Sequence, residues 1–324
     1  MGETLVIGGT GAMGRRVVSR LLESPDATVA VLTRDPRSER ATDLLARGGG
    51  RVRVLRGDLD DPGSIHAAVS DVDQVFGNTD FFSSGSVLGE YRQGITVLEA
   101  AKAAGVERFI WSSLDSAVTL TNGAIPVPHY DAKAAVAAHI NLLRSEEMMR
   151  EENDGWYSEH VSILTTSPYF ENLRVRLAPG RGPLPDGRSG LLFSLPLGTG
   201  KYPLIGLDDI AWFSDFMFKH WQSWGSRDLA VTGDSLTGEE IAATVERVTG
   251  TPCGYDPVPL DVLRSSIPEV GHDYSAMFQF FQARDVFGLD RDISLLREIH
   301  PEMMTFEGWL RSTGWDGTEV VADR

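Results

Sequence analysis

His129 and Lys133 stand four residues apart in His129-Tyr130-Asp131-Ala132-Lys133. Four helical residues turn through about 400°, so the two side chains share one face a single turn apart. An imidazole titrates near neutrality and can donate a proton, and a lysine ammonium can hold ribose hydroxyls. The combination suits reduction, where an acceptor that takes a hydride must also take a proton. That work is more commonly done by a tyrosine with a lysine four residues later. Here Tyr130 is three residues before Lys133 and rotated roughly 100° from His129. His129 is therefore the candidate acid, with a packing role at a helix start as its alternative, and Lys133 the candidate ribose ligand.

A second constellation opens the chain. Val6-Ile7-Gly8-Gly9-Thr10-Gly11-Ala12-Met13-Gly14 places a Gly-x-x-Gly-x-x-Gly run after an apolar segment and before a helical pattern. Strand, glycine turn and helix in that order present backbone N–H groups and a helix N-terminus to a pyrophosphate. Gly8 would make the tight turn, Gly11 the close approach to phosphate, and Gly14 the packing of helix on strand. Thr10, Ala12 and Met13 complete the predicted cradle.

The residue that reads the adenosine ribose is expected about 20 positions after the glycines. That place holds Arg34, in Leu32-Thr33-Arg34-Asp35-Pro36, and a guanidinium suits a 2′-phosphate. Arg15 and Arg37 could add charge there, so the expected cofactor is NADP(H). Asp35 is the competing candidate, for NAD. Asp58 and Leu59 after the third strand would meet the adenine, or Asp58 serves only as a turn or cap residue. Asn78 and Thr79 end the fourth strand, on the carboxyl edge where open α/β sheets bind ligands.

The elements that must hold these residues alternate as in a doubly wound parallel sheet. Strands are expected at 5–7, 27–33, 52–55, 74–77, 108–111 and 161–165. Helices are expected after Gly14 and at 37–47, 64–69 and 89–104, with Gly105 closing the last and Pro128 opening another. Ala41, Leu44 and Leu45 should face inward. Residues 144–160 break the rhythm as a lengthened helix and loop, and 174–203 read as a long excursion. An aspartate-capped helix is expected to begin within 205–210, a late strand at 229–232, and helices from Thr237 and across 260–311. The predicted layout is a nucleotide-binding domain (1–166 and 205–233) and a smaller, discontinuous α+β domain (167–204 and 234–324).

Composition narrows the classes. The 324 residues carry 46 acidic and 30 basic side chains, a formal charge of −16, which opposes direct nucleic-acid binding. No apolar run approaches the roughly 20 residues of a membrane helix. The first strand is expected to begin by Thr4 or Leu5, so no signal peptide is expected. Cys253 is the sole cysteine and lies in a turn-like sequence, so no internal disulfide and a reduced, cytoplasmic setting are expected.

The motifs together resemble the NmrA-like family, an atypical branch of the short-chain dehydrogenase/reductases. The resemblance runs nearly end to end, through the glycine run, Thr33-Arg34-Asp35-Pro36, Gly57-Asp58-Leu59-Asp60-Asp61, His129 to Lys133, Ser167-Pro168-Tyr169-Phe170-Glu171-Asn172-Leu173, Asp186-Gly187-Arg188 and Asp290-Arg291-Asp292. It implies a Rossmann domain binding NADP(H) and a small C-terminal domain beside a cleft. Arg34 would read the 2′-phosphate and Lys133 touch the nicotinamide ribose, with Tyr169, Phe170 and Asn172 at the nicotinamide end. The sensing branch lacks the tyrosine of true dehydrogenases and acts through partners according to cofactor state. A non-catalytic redox-sensing regulator is thus the first reading. The second is an NADPH-dependent reductase of a small carbonyl, quinone or imine, in a biosynthetic pathway for instance. A scaffold without cofactor is the third, and the intact glycines and Arg34 oppose it.

Overall fold

The computed structural model describes residues 2–150, 155–175 and 177–318. Two compact units divide the chain, one made of Met1–Ser116, Pro128–Thr165 and Ile210–Leu229, the other of Ala117–Val127, Thr166–Asp209 and Ala230–Arg324.

In the first unit, short runs of apolar residues form strands covered on both faces. These are β1 (Glu3–Val6), β2 (Thr28–Thr33), β3 (Val52–Arg56), β4 (Gln74–Gly77), β5 (Arg108–Ser113) and β6 (Val161–Thr165). Near-continuous burial, as in Val29, Ala30 and Val31 at 0 % exposure, is the pattern of a parallel sheet between helices. The six pair in parallel, with registers such as Val6 opposite Val31 and Phe76. Their order is β6-β5-β4-β1-β2-β3, and β10 (Leu229–Ala230) extends the sheet to seven strands beyond β6. The reversal between β1 and β4 is the switch point where such sheets bind ligands.

Among the described residues, seven helices of this unit precede β6 in the chain: α1 (Ala12–Leu21), α2 (Glu39–Gly48), α3 (Pro62–Val69), α4 (Phe81–Ser84), α5 (Val87–Ala103), α7 (Pro128–Met149) and α8 (Trp156–Glu159). Side chains of Ser38, Asp61, Asp80 and Ser86 cap α2 to α5. Val97, Leu98, Val136 and Ile140 of α5 and α7 pack with Val75, Phe109 and Trp111 of the sheet in one core.

The second unit contains α6 (Ala117–Leu120) and two small sheets. One pairs β9 (Tyr202–Leu204) with β11 (Asp234–Leu236), the other orders β12 (Cys253–Tyr255), β8 (Ser189–Phe193) and β7 (Gly180–Pro183). Its helices include α11 (Gly238–Thr249), with a capping box from Thr237 and Glu240, then α12 (Leu260–Ser266), α13 (Gly271–Ala283), α14 (Val286–Asp290), α15 (Ile293–Ile299) and α16 (Phe306–Thr313). Two further helices, α9 (Leu207–Lys219) and α10 (Trp221–Trp224), lead into β10.

Several sequence expectations need correction. The 174–203 excursion carries three strands: β7 and β8 pair as a local antiparallel hairpin with little apolar alternation, while β8 also meets β12 and β9 meets β11 from farther along the chain. The helix expected from an aspartate cap starts at Leu207 with Asp208 and Asp209 in its first turn. Asp209 accepts instead from His300 Nε2 at 3.0 Å and from the Met304 N–H at 3.2 Å. The long helix begins at Val87 rather than 89 because Ser86 caps it. Leu45 is 40 % exposed rather than inward-facing. Cys253 lies in a strand, not a turn, and burial pushes its thiol up to about 12. Of the expected lengthening at 144–160, residues 151–154 lie outside the described residues.

Candidate functional site

The glycine turn follows β1, and its shape depends on two missing side chains. Gly8 has φ of +74°, and a Cβ there would come within 2.6 Å of the Asn78 carbonyl oxygen. A Cβ on Gly14 would stand 2.1 Å from the Gly8 carbonyl oxygen, so α1 packs this close to the turn only with glycine at that place. Gly11 N–H donates to Gly8 O at 2.9 Å, and Arg15 N–H to Gly11 O at 3.0 Å. The N-terminus of α1 has no side-chain cap and no acidic residue in its first turn, unlike α2 to α5, which carry side-chain caps. Thr10 and Gly11 are half-buried, Ala12 exposed and Met13 buried. Ser112 Oγ at the end of β5 reaches Met13 Sδ at 3.5 Å.

Basic side chains gather beside that helix start. Burial lowers the pKa of Arg15, and the neighbouring Arg40 and Arg16 lower it further. Its Nε is buried with no hydrogen-bond partner among the described residues. Such a group suits an incoming anion. Arg34 is exposed at the end of β2 and donates to Ser83 Oγ of α4 at 3.1 Å. Arg37 is exposed too. The Asp35 carboxylate accepts from the Arg37 N–H at 3.0 Å, a local turn contact. Asp58 behaves similarly, accepting from the Asp60 N–H at 3.1 Å. Leu59 packs on the sheet core.

Next to the turn, at the end of β4, is the Lys133 cluster. Trp111 Nε1 of β5 donates to the Lys133 carbonyl at 3.1 Å and fixes this turn of α7. Lys133 Nζ donates to Thr79 O at 2.6 Å, Thr79 Oγ1 at 3.2 Å and Asn78 Oδ1 at 3.3 Å. It also lies 3.0 Å from Glu90 Oε1. Sequence reasoning missed Glu90. The available signal was a carboxylate in helical register with Gly94, Val97 and Ala101, on the face of α5 that otherwise carries packing residues.

An aromatic group adjoins this cluster. The His129 ring is 5.5 Å from Phe82, 6.2 Å from Phe81 and 4.8 Å from Tyr130 between centroids. Tyr130 is 1 % exposed, whereas Phe82 is 39 % exposed. The structure therefore brings together Gly8 to Gly14, Asn78, Thr79, His129 and Lys133 on one edge of the sheet.

Tyr169, Phe170 and Asn172 belong to the second unit. Tyr169 bridges to Ile205, and Phe170 N–H donates to Ile205 O at 3.0 Å. Phe170, expected at the nicotinamide end, is 0 % exposed, its ring 5.7 Å from both Phe306 and Trp309. It has a packing role in this unit. Between Phe170 and Asn172, Glu171 accepts from Trp309 Nε1 at 3.2 Å, and burial pushes its carboxyl up to about 7. No set of His, Cys, Asp and Glu among the described residues could hold a metal. None of their helices is long and apolar enough to cross a membrane.

A doubly wound sheet with a glycine turn at its switch point defines the Rossmann class. Within that class, the NmrA-like family model matches residues 2–310, and the chain belongs to this family. It is 26 % identical over 292 residues to the NmrA-like oxidoreductase FrzB of Cladobotryum sp, covering 86 % of this chain and 83 % of that one. Identity to the NAD(P)H azoreductase of Xenophilus azovorans is 28 % over 268 residues, covering 82 % and 81 %. Among solved structures, NmrA, a negative transcriptional regulator, in complex with NADP superposes with a TM-score of 0.68 at 17 % identity, covering 98 % of each chain. The Citrobacter sp. triphenylmethane reductase complexed with NADP(H) gives 0.70 at 17 % identity, covering 95 % and 99 %.

Proposed function

We propose that the chain binds NADP(H) at the β1–α1 turn and reduces a small conjugated acceptor such as a quinone, imine or carbonyl. The uncapped start of α1 offers backbone N–H groups to the pyrophosphate. Arg34 reads the 2′-phosphate, aided by Arg15 and Arg37, and Lys133 holds the nicotinamide ribose. The cofactor supplies the hydride. His129 gives the proton that the acceptor oxygen or nitrogen must then receive.

The observation that carries this reading is the aromatic group of Phe81, Phe82 and His129 beside Lys133. Flat rings, one of them exposed, suit a planar acceptor. Family relatives named as oxidoreductases and as an azoreductase support it. The test is loss of NADPH absorbance with a panel of quinones, imines, azo compounds and carbonyls. Turnover that is abolished by Lys133→Ala sustains the reading.

The burial of Tyr130 favours a second reading, a redox-sensing regulator that binds a protein partner. It predicts no NADPH oxidation across the panel. Proteolysis or partner binding would then differ between NADP⁺-bound and cofactor-free protein, since a ligand shifts a conformation only through differential affinity.

A further inference from the structure

Glu90 is 0 % exposed on α5, and its Oε1 stands 3.0 Å from Lys133 Nζ. Thr79 Oγ1 donates to that same oxygen at 2.7 Å. Glu90 Oε2 is buried with no hydrogen-bond partner among the described residues. A carboxylate in this state is costly, because an apolar side chain would fill the same helix face without desolvation. Thr79, Asn78 and the Thr79 carbonyl already orient the ammonium. What Glu90 adds to them is charge: with it, the buried cluster is a neutral pair.

We propose that Glu90 sets how this site distinguishes oxidised from reduced cofactor, by cancelling the charge of Lys133. The proposal rests on the reading of Lys133 as the residue at the nicotinamide ribose. NADP⁺ carries one positive charge on its nicotinamide ring, and NADPH carries none there. A lone, partly buried ammonium repels the oxidised ring and leaves the reduced ring almost unaffected. Paired with a carboxylate at 3.0 Å, the ammonium presents little net field to either. The site can therefore hold NADP⁺ and NADPH with similar strength while keeping its lysine.

The experiment is calorimetric titration of the full chain with NADP⁺ and with NADPH, for the unmodified protein, Glu90→Gln, Lys133→Met and the double variant. Glu90→Gln keeps an acceptor for Thr79 and leaves the site with a net positive charge. It should weaken NADP⁺ relative to NADPH by about three- to thirtyfold, as expected for charges several ångströms apart in a partly screened site. The double variant restores neutrality, and its ratio should return to within about twofold of the unmodified protein. A merely structural role for Glu90 moves both constants together and leaves the ratio unchanged, which overturns the proposal. If Lys133→Met alters neither constant, the placement of Lys133 has failed, and the proposal with it. If Lys133→Met alters both while Glu90→Gln leaves the ratio alone, only the role of Glu90 has failed. Should Glu90→Gln not fold, Lys133→Met supplies the opposite sign: its ratio must shift toward NADP⁺, and no shift overturns the proposal.

Discussion

The glycine turn after β1 and the Lys133 cluster after β4 end neighbouring strands of one sheet, yet they are built in opposite ways. The first is made of backbone. Its shape depends on absent side chains at Gly8 and Gly14, and its helix start lacks a side-chain cap. The second is made of side chains from three separate elements, and its charge is balanced internally by Glu90. An anion's phosphates need fixed N–H dipoles and exposed guanidinium groups. On the proposed reading, Lys133 lies beside the nicotinamide and has to stay oriented, and the net charge it shares with Glu90 weighs one redox form against the other. The difference explains why the turn reads directly from nine consecutive residues, whereas the cluster draws on positions 54 and 55 residues apart.

The largest expected effect lies on the side-chain region. If His129 is the acid, His129→Phe should lower turnover by about 10²–10⁴-fold with NADPH affinity nearly unchanged. Steady-state kinetics alongside a binding titration checks this, and an unaltered rate would remove His129 from the chemistry. At the phosphate region, Arg34→Ala should erase a preference for NADPH over NADH of about ten- to a hundredfold, or roughly 1.5–3 kcal/mol. Equal affinity for the two cofactors in the unmodified protein would refute that role.

Gly14→Ala tests the backbone region directly. Its new Cβ would stand 2.1 Å from a carbonyl oxygen, so α1 must move away, at a cost of about 1–3 kcal/mol in thermal or denaturant unfolding. A variant as stable as the parent would show that the close approach is not required.

The smallest expected effect comes from Glu171 in the second unit, whose carboxylate accepts from Trp309 Nε1 where that of Glu90 meets an ammonium. Burial raises the folded-state value of Glu171 to about 7 from 4.5. The folded protein therefore binds more protons than the unfolded chain between these values, and stability falls as pH rises through about 4.5 to 7. Glu171→Gln should remove that dependence and stabilise the protein by about 1–2 kcal/mol at pH 8 relative to the parent, with the gap closing near pH 4. Unfolding midpoints across this range decide it, and parallel profiles would show that Glu171 does not titrate as its burial implies.

Much of the first unit was legible because its signals are local. Gln74–Gly77 and Val161–Thr165 emerge with the expected bounds, and Pro128 opens its helix as its fixed φ allows. The second unit was less legible. Gly180–Pro183 and Ser189–Phe193 carry little apolar alternation, and Cys253–Tyr255 joins them from 62 positions beyond Leu191, through the Cys253–Leu191 register. Phe170 looked like a ligand contact in its motif, but packing between Phe306 and Trp309 occupies its ring. The local motif could not reveal that, because the partners come from the far end of the chain.

The sequence by itself determined the glycine turn, the strand–helix alternation, the guanidinium at the end of β2 and the one-turn spacing of His129 and Lys133. Each of these is set by the φ/ψ freedom or side-chain type of residues close together in the chain. Only the tertiary structure decided that Glu90 faces Lys133, that Tyr130 is sealed in the core while Phe82 is exposed, and that Arg34 reaches Ser83. Which charge is cancelled and which remains available depends on elements meeting across the sheet edge, and electrostatic energy is fixed by that distance and burial rather than by position in the sequence.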